Sequence, residues 1–344
     1  MTGEAFIWIR GSHRKRLVPW LAPLLLVALT PGCGSRPHSA DEKYWLVATN
    51  IKLPYWQSAN AGLTAAARQL GVLAEMVGPD SYDPQAQREE FRRVLAKKPT
   101  GIMVSVADPS VMTPEINAAI AQGIPVITMD SDAPGSKRLL FVGTNNYQAG
   151  VMGAQVVVRG LNGKGSVVLY TIGGQENLKE RLRGYQAVFA ENPQIRVREI
   201  VDIRGDPRVA FDRTKEIISS GKDLPDAFAC LEAIACAEVA DVLDRNRITG
   251  KLIVAMDTQE MTLEWIRKGM ITATVAQKPY TMAFYGLKVL DDLHHHRPPS
   301  LDADWARNLF APFPMVMDTG VTLVDKSNVE EFIRAQPPSP RKGG

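Results

Sequence analysis

The 344-residue chain has 40 basic and 37 acidic residues, a formal net charge of +3, and 45% hydrophobic content. Removing residues 1–32 takes away Arg10, Arg14, Lys15, Arg16 and Glu4 and brings the net charge to zero. No basic surplus is left to hold nucleic acid, and the remaining chain is long enough for two ordinary soluble domains.

The first segment differs in kind from the rest. A basic stretch ending at Arg16 precedes the apolar run LVPWLAPLLLVAL, Leu17 to Leu29, and then TPGC ends at Cys33. Thirteen residues interrupted by Pro19 and Pro23 are too few to span a bilayer but fit the apolar part of an export signal. Gly32-Cys33 resembles a bacterial lipobox, with Thr30 where a leucine is usual and the leucine one residue earlier. The expectation is a signal peptide over 1–32, lipidation of Cys33, and a polar tether over 33–43.

From residue 44 short β-branched runs alternate with helical patterns. The runs are WLVAT (45–49), VLAEMV (72–77), GIMVSV (101–106), PVITM (125–129) and LLFVG (139–143). Between them lie NAGLTAAARQL (60–70), PQAQREEFRRVLAKK (84–98) and PEINAAIAQG (114–123). In the second of these Phe91, Val94 and Leu95 share one face, as on an exposed amphipathic helix. The alternation resumes with GSVVLYT (165–171), RVREIV (196–201), DAFAC (226–230), KLIVAM (251–256) and ITATV (271–275). Such alternation predicts parallel sheets covered on both faces, and the number of runs predicts two similar halves. Cys230 ends a strand pattern and Cys236 sits in a helical one. Two packed thiols are expected there, with pairing left open.

Parallel α/β sheets bind ligands at the carboxyl ends of their strands. Tyr55 and Trp56 follow the first run. Asp130, Ser131 and Asp132 follow PVITM, and Asn177, Arg181 and Arg183 follow GSVVLYT. Asp257 follows KLIVAM and Gln277 follows ITATVA. Singly, each has a plain explanation, such as a helix cap for Asp257 or a turn for Gln277. Together they supply rings for a C–H face and planar polar groups for adjacent hydroxyls.

The chain from about 44 to 330 resembles the type 1 periplasmic sugar-binding proteins, the ribose- and galactose-binding group. The resemblance rests on PYW (54–56), QAQREEFRRVLAKKPTGIMVSVADP (85–109), GIPVITMDSD (123–132), VGTNNYQAG (142–150), NLKERLRGY (177–185), AMDTQ (255–259), ATVAQKPY (273–280) and MDTGVTLVDKSN (317–328). It implies an α/β protein of two doubly wound parallel-sheet lobes joined by a three-stranded hinge. The lobes would be 44–144 plus 279–312 and 145–278 plus 313–330, with a polar tail over 331–344. The hinge crossings would fall at Thr144–Asn146, Gln277–Pro279 and near Pro312–Met315. It also implies ligand contacts from Tyr55 and Trp56, as paired aromatics sandwiching the ligand, and from Asp130, Asp132, Asn177, Arg181, Asp257 and Gln277. Both rings would then serve the cleft instead of the core. Three positions depart from the ribose-type pattern: Leu53 and Leu231 replace asparagines and Ser131 replaces an arginine. Lost hydroxyl-binding groups change which ligand a site accepts.

The implied activity is binding, not catalysis. The protein would close on a monosaccharide-like polar ligand in the periplasm or at the cell-envelope surface and deliver it to an ABC permease. A membrane sensor is the alternative receiver, and an unrecognised enzyme in the same cleft is a second alternative. A monomer is expected, without cofactor, touching the membrane only through its lipid. GGQENL (173–178) lacks dinucleotide-binding spacing, and no helix-turn-helix precedes the lobes. The histidines form no Ser/His/Asp set. No metal site is expected from His294–His296, because three adjacent histidines cannot all face one ion.

Overall fold

The computed structural model describes residues 38–335 except Ala40 and Lys222. The expected export segment, Cys33, and the larger part of both the tether and the tail lie outside the described residues. No described helix is long and apolar enough to cross a membrane.

The first half runs β1 (Lys43–Val47), α1 (Pro54–Leu70), β2 (Leu73–Val77), α2 (Pro84–Ala96), β3 (Gly101–Val104), α3 (Pro109–Ala121), β4 (Val126–Met129) and β5 (Phe141–Gly143). The second half runs α4 (Asn146–Gly160), β6 (Gly165–Thr171), α5 (Glu176–Ala190), β7 (Ile195–Asp202), α6 (Pro207–Ser219) and β8 (Ala227–Cys230). It continues through α7 (Ala235–Arg245), β9 (Leu252–Met256), α8 (Glu260–Lys268) and β10 (Ala273–Ala276). The chain closes with α9 (Pro279–His295), a 3₁₀ turn at Trp305–Arg307, β11 (Val316–Asp318), β12 (Thr322–Asp325) and α10 (Val329–Ala335).

Two six-stranded sheets result, ordered β11-β5-β4-β3-β1-β2 and β12-β10-β9-β8-β6-β7. All pairs are parallel except β10 with β12. In each sheet the chain steps outward once, from β1 to β2 or β6 to β7, then returns past its start. Right-handed crossovers therefore place α1 opposite α2 and α3, and α5 opposite α6 and α7. The crevice at each reversal is where a ligand fits.

The chain changes sheet between β5 and α4, between β10 and α9, and between β11 and β12. The third crossing corrects the expectation. β11 pairs with β5 in the first sheet and β12 with β10 in the second, so the passage falls at 319–321 and not near Pro312–Met315. Residues 316–318 accordingly belong with the first lobe.

Local chemistry explains the element starts. Asp83-Pro84, Asp108-Pro109 and Asp206-Pro207 each open a helix, the carboxylate accepting from backbone N–H groups of the first turn while proline occupies the first helical position. Each lobe has its own core. Trp45, Leu63, Phe91, Ile102 and Met112 pack in the first, and Leu169, Tyr170, Phe228, Ile253 and Ile266 in the second. Helices α1 and α9 pack together, as do α4 and α5. Both contacts need glycine. A Cβ on Gly62 would lie 2.1 Å from the Tyr280 carbonyl oxygen, and one on Gly150 would lie 2.1 Å from that of Arg181.

Cys230 and Cys236 are joined, with Cα atoms 5.7 Å apart, which overturns the expectation of two separate thiols. The chain reverses tightly between β8 and α7, so a strand end and a first helical turn come within bridging range.

Candidate functional site

At the facing carboxyl ends of the two sheets lies a cavity lined by residues of both lobes, a concave gap of the kind in which small molecules bind. Tyr55, Trp56 and Asp130 line it from the first lobe. Asn177, Arg181, Asp257 and Gln277 line it from the second half of the chain. Seven of the eight expected side chains thus converge on one gap.

The two aspartates are built alike. Each follows a strand, β4 or β9, and adopts the left-handed conformation, with φ of 65° at Asp130 and 66° at Asp257. Each donates its N–H to the neighbouring strand, to Val142 at 3.0 Å and to Val275 at 2.9 Å. Non-glycine residues adopt this conformation rarely, asparagine and aspartate more readily than others. It turns both carboxylates off the strand ends toward the cavity.

Their partners differ. Asp130 accepts from the Tyr55 hydroxyl at 2.7 Å and from the Ser105 hydroxyl at 2.9 Å. Asp257 accepts from the Gln277 amide at 3.1 Å. Gln277 accepts from Arg181 Nη2 at 2.8 Å, and the same guanidinium donates to Asn146 Oδ1 at 2.9 Å and to the Leu231 carbonyl at 2.7 Å. Arg181 is 3% exposed. Its Nε and both terminal nitrogens are engaged, which fixes its plane. Asn177 stands in the first turn of α5 with its Oδ1 accepting from Leu178 N at 2.9 Å.

Glu232 completes the polar wall and was not anticipated. It lies two residues beyond β8, is 6% exposed, and accepts from the N–H groups of Ile234 at 2.6 Å and Ala235 at 3.2 Å. Thr49 and Gln175 line the cavity as well. The strand-end rule applied after Cys230 reaches Glu232, but the departure at Leu231 drew the reading to the wrong neighbour.

Burial dominates the titration of these acids. It raises Asp130, against the opposing charge of Arg181 and the hydrogen bonds of Tyr55 and Ser105. It raises Asp257 to about 6, with Arg181 and Gln277 opposing. It raises Glu232 to about 7, against its two backbone N–H donors and with the Asp257 charge adding. Three carboxylates share one guanidinium, so the cavity favours a ligand that donates hydrogen bonds.

Two expectations fail. The Asp132 carboxylate does not line the cavity. Arg138 binds it through Nε at 2.7 Å and Nη2 at 2.6 Å, and the Thr128 hydroxyl donates to it. It is a structural ion pair fixing the segment after β4. Trp56 borders the cavity but is also 2% exposed within the first-lobe core, so the aromatic pair does not stand clear of the core. The two rings meet edge to face, centroids 5.2 Å apart. Tyr55 is tied to Asp130 while Trp56 packs inward. Of the departing positions, Leu53 lines the cavity. Ser131 and the Leu231 side chain do not.

Residues 45–296 match the periplasmic binding protein domain family. The ribose import binding protein of Bacillus subtilis is 24% identical over 301 residues, covering 82% of this chain and 94% of the relative. The D-allose-binding periplasmic protein of Escherichia coli is 25% identical over 264 residues, covering 74% and 85%. Among solved structures, an arabinose-binding protein from Geobacillus stearothermophilus is 33% identical with a TM-score of 0.71, covering 85% of this chain and 99% of that one. A sugar-binding protein of a sugar ABC transporter from Bacillus halodurans is 33% identical with a TM-score of 0.75, covering 85% and 100%. The match spans most of the chain, and the two lobes, their strand order and the cavity between them agree with it: the chain belongs to the periplasmic binding protein domain family, extracytoplasmic binders of solutes and not enzymes.

Proposed function

We propose that the chain closes on a monosaccharide, held by Tyr55, Trp56, Asp130, Asn177, Arg181, Glu232, Asp257 and Gln277, and delivers it to an ABC permease. The observation that carries this reading is a shared cavity walled by rings and a carboxylate on one side and by a guanidinium, amides and two carboxylates on the other. Carboxylates only accept and a guanidinium only donates, whereas a sugar hydroxyl does both. A ring of adjacent hydroxyls can therefore answer every group in the wall. The relatives are named for ribose, allose and arabinose, which makes aldopentoses and aldohexoses the first candidates.

The three crossings act as a hinge in this reading, and a ligand touching both lobes stabilises the closed form by its differential affinity for it. Tyr82 touches both lobes in this closed arrangement. It extends from the loop before α2, donates to the Ala107 carbonyl at 2.8 Å, and lies so close to Gly205 that a Cβ there would fall 2.6 Å from it. The protein would work as a monomer anchored through lipid on Cys33, so Cys33→Ser should release it from the membrane fraction.

A thermal-shift and calorimetric screen against aldopentoses, aldohexoses and polyols tests the reading. A ligand at 100 times its Kd should add about 2.7 kcal/mol of stability. Tyr55→Phe should reduce that gain while leaving the ligand-free protein folded. If no sugar or polyol stabilises the protein, the reading falls.

A further inference from the structure

The geometry points to a site for a zinc-class divalent transition-metal ion, formed by His38, Glu42, Asp291 and His295, at the end of the first lobe where the chain enters β1. The four residues offer one ligand atom each, all within 4.8 Å of one another. His38 Nε2 lies 2.9 Å from Asp291 Oδ2. His295 Nε2 lies 3.1 Å from Glu42 Oε2 and 3.6 Å from Asp291 Oδ1. Zinc binds imidazole nitrogen and carboxylate oxygen at about 2.0–2.2 Å in a tetrahedron, which sets its ligand atoms about 3.4 Å apart. Shifts of under about 1 Å per side chain bring all four to that separation.

Charge supplies the second argument. Glu42 and Asp291 are both buried, and their partners at ion-pair distance among the described residues are histidines, while Arg297 acts from farther off, its charge felt at Tyr44 and His294. Two buried carboxylates need two positive charges nearby. A single divalent cation with two neutral imidazoles supplies them. His38 is nine-tenths buried, and its other ring nitrogen has no hydrogen-bond partner.

Both carboxylates are also aimed from behind. The Tyr44 hydroxyl donates to Asp291 Oδ1 at 2.8 Å and the Ser39 N–H donates to Glu42 Oε1 at 2.7 Å. Outer partners of this kind orient metal ligands. Two nitrogens with two oxygens suit zinc better than calcium or magnesium, which prefer all-oxygen shells. The HHH run misleads in sequence because only its middle member takes part. His296 turns to Asp292 at 2.9 Å and His294 to Arg297 at 3.3 Å. The metal would pin the stretch ahead of β1 to the last turn of α9, the helix that returns from the second sheet.

The test is calorimetric titration of Zn²⁺ into the full chain, purified without a histidine tag and stripped with EDTA. One equivalent should bind and raise the unfolding temperature, and Co²⁺ in its place should give visible ligand-field bands. His38→Ala and His295→Ala should each abolish the stoichiometric equivalent, and Tyr44→Phe should weaken it about 10–100-fold. His294→Ala and His296→Ala should leave it unchanged. His38→Ala alters only the segment before β1, so its unfolding in EDTA should match that of the unaltered chain and exclude misfolding as the cause. Absence of a saturable equivalent overturns the site and leaves a histidine–carboxylate hydrogen-bond network. Binding that survives His38→Ala but not His294→Ala or His296→Ala overturns it too.

Discussion

The two lobes repeat one plan and furnish it differently. β1 to β5 correspond to β6 to β10, and Asp130 and Asp257 stand at matching strand ends with the same left-handed backbone and the same N–H bond to the next strand. The first lobe steadies its carboxylate with neutral hydroxyls and sets aromatic rings beside it. The second steadies its own through an amide held by a buried arginine, and adds Glu232. A shared backbone device therefore fixes where a carboxylate points, and its neighbours decide its electrostatic character.

The largest way to break this contrast is to remove the arginine. Arg181→Ala leaves the Asn146 and Gln277 oxygens and the Leu231 carbonyl without their donor and removes the one guanidinium beside three acids. Losing one member of a buried charge network costs about 3–5 kcal/mol. Urea unfolding should show that loss without ligand, and calorimetry should show no sugar binding. The equivalent test in the first lobe, Ser105→Ala, removes a single neutral donor and should cost about 1 kcal/mol. Equal losses would mean that the two aspartates are held in the same way.

Proton linkage gives the next effect. Glu232 rises from 4.5 to about 7 on folding. An acid raised by folding contributes stability that is complete below its unfolded value and is lost as pH climbs through the folded one. The ligand-free protein should therefore weaken between about pH 4.5 and 7, by roughly 3 kcal/mol from this residue alone. Asp257 acts in the same direction, through about 6. Denaturant titrations at pH 5 and pH 8 should show the decline, and Glu232→Gln should flatten most of it. An unchanged slope in that variant would place the pH dependence elsewhere.

The strand runs were legible because fully buried parallel strands read as unbroken apolar stretches, and β6 falls on the residues expected, 165–171. Placement at strand ends followed from topology, which is why Arg181, Asp257 and Gln277 were visible as a set. Side-chain direction was not. Asp132 lies two residues from Asp130 and carries the same group, and Arg138 together with the Thr128 hydroxyl holds it away from the cavity. The disulfide and the third crossing depend on a tight reversal and on an edge strand of three residues. Neither leaves a periodic mark in the sequence.

The helix contacts test the repeat at smaller cost. Alanine at Gly62 or Gly150 forces a Cβ against a facing carbonyl, so each should destabilise its lobe by about 1–3 kcal/mol. Their effects on ligand should diverge. The carbonyl facing Gly150 belongs to Arg181 itself, so Gly150→Ala should move the guanidinium and weaken sugar binding. The carbonyl facing Gly62 belongs to Tyr280, whose side chain is exposed, and affinity should hold there. Equal affinity losses would show that helix spacing acts on the cavity through both lobes alike.

The smallest change separates stacking from hydrogen bonding in the first lobe. Tyr55→Phe keeps the ring edge to face with Trp56 and removes the hydroxyl that donates to Asp130 at 2.7 Å. Asp130 keeps its Ser105 partner, so stability should fall by only about 1 kcal/mol. The freed lone pair faces the cavity, where a sugar hydroxyl can donate to it in place of tyrosine. Affinity should then fall less than the lost hydrogen bond alone implies, whereas Tyr55→Ala, which removes the ring as well, should lose far more. Equal losses in the two variants, measured by calorimetry with the same sugar, would assign the tyrosine's whole contribution to its hydroxyl and none to its face.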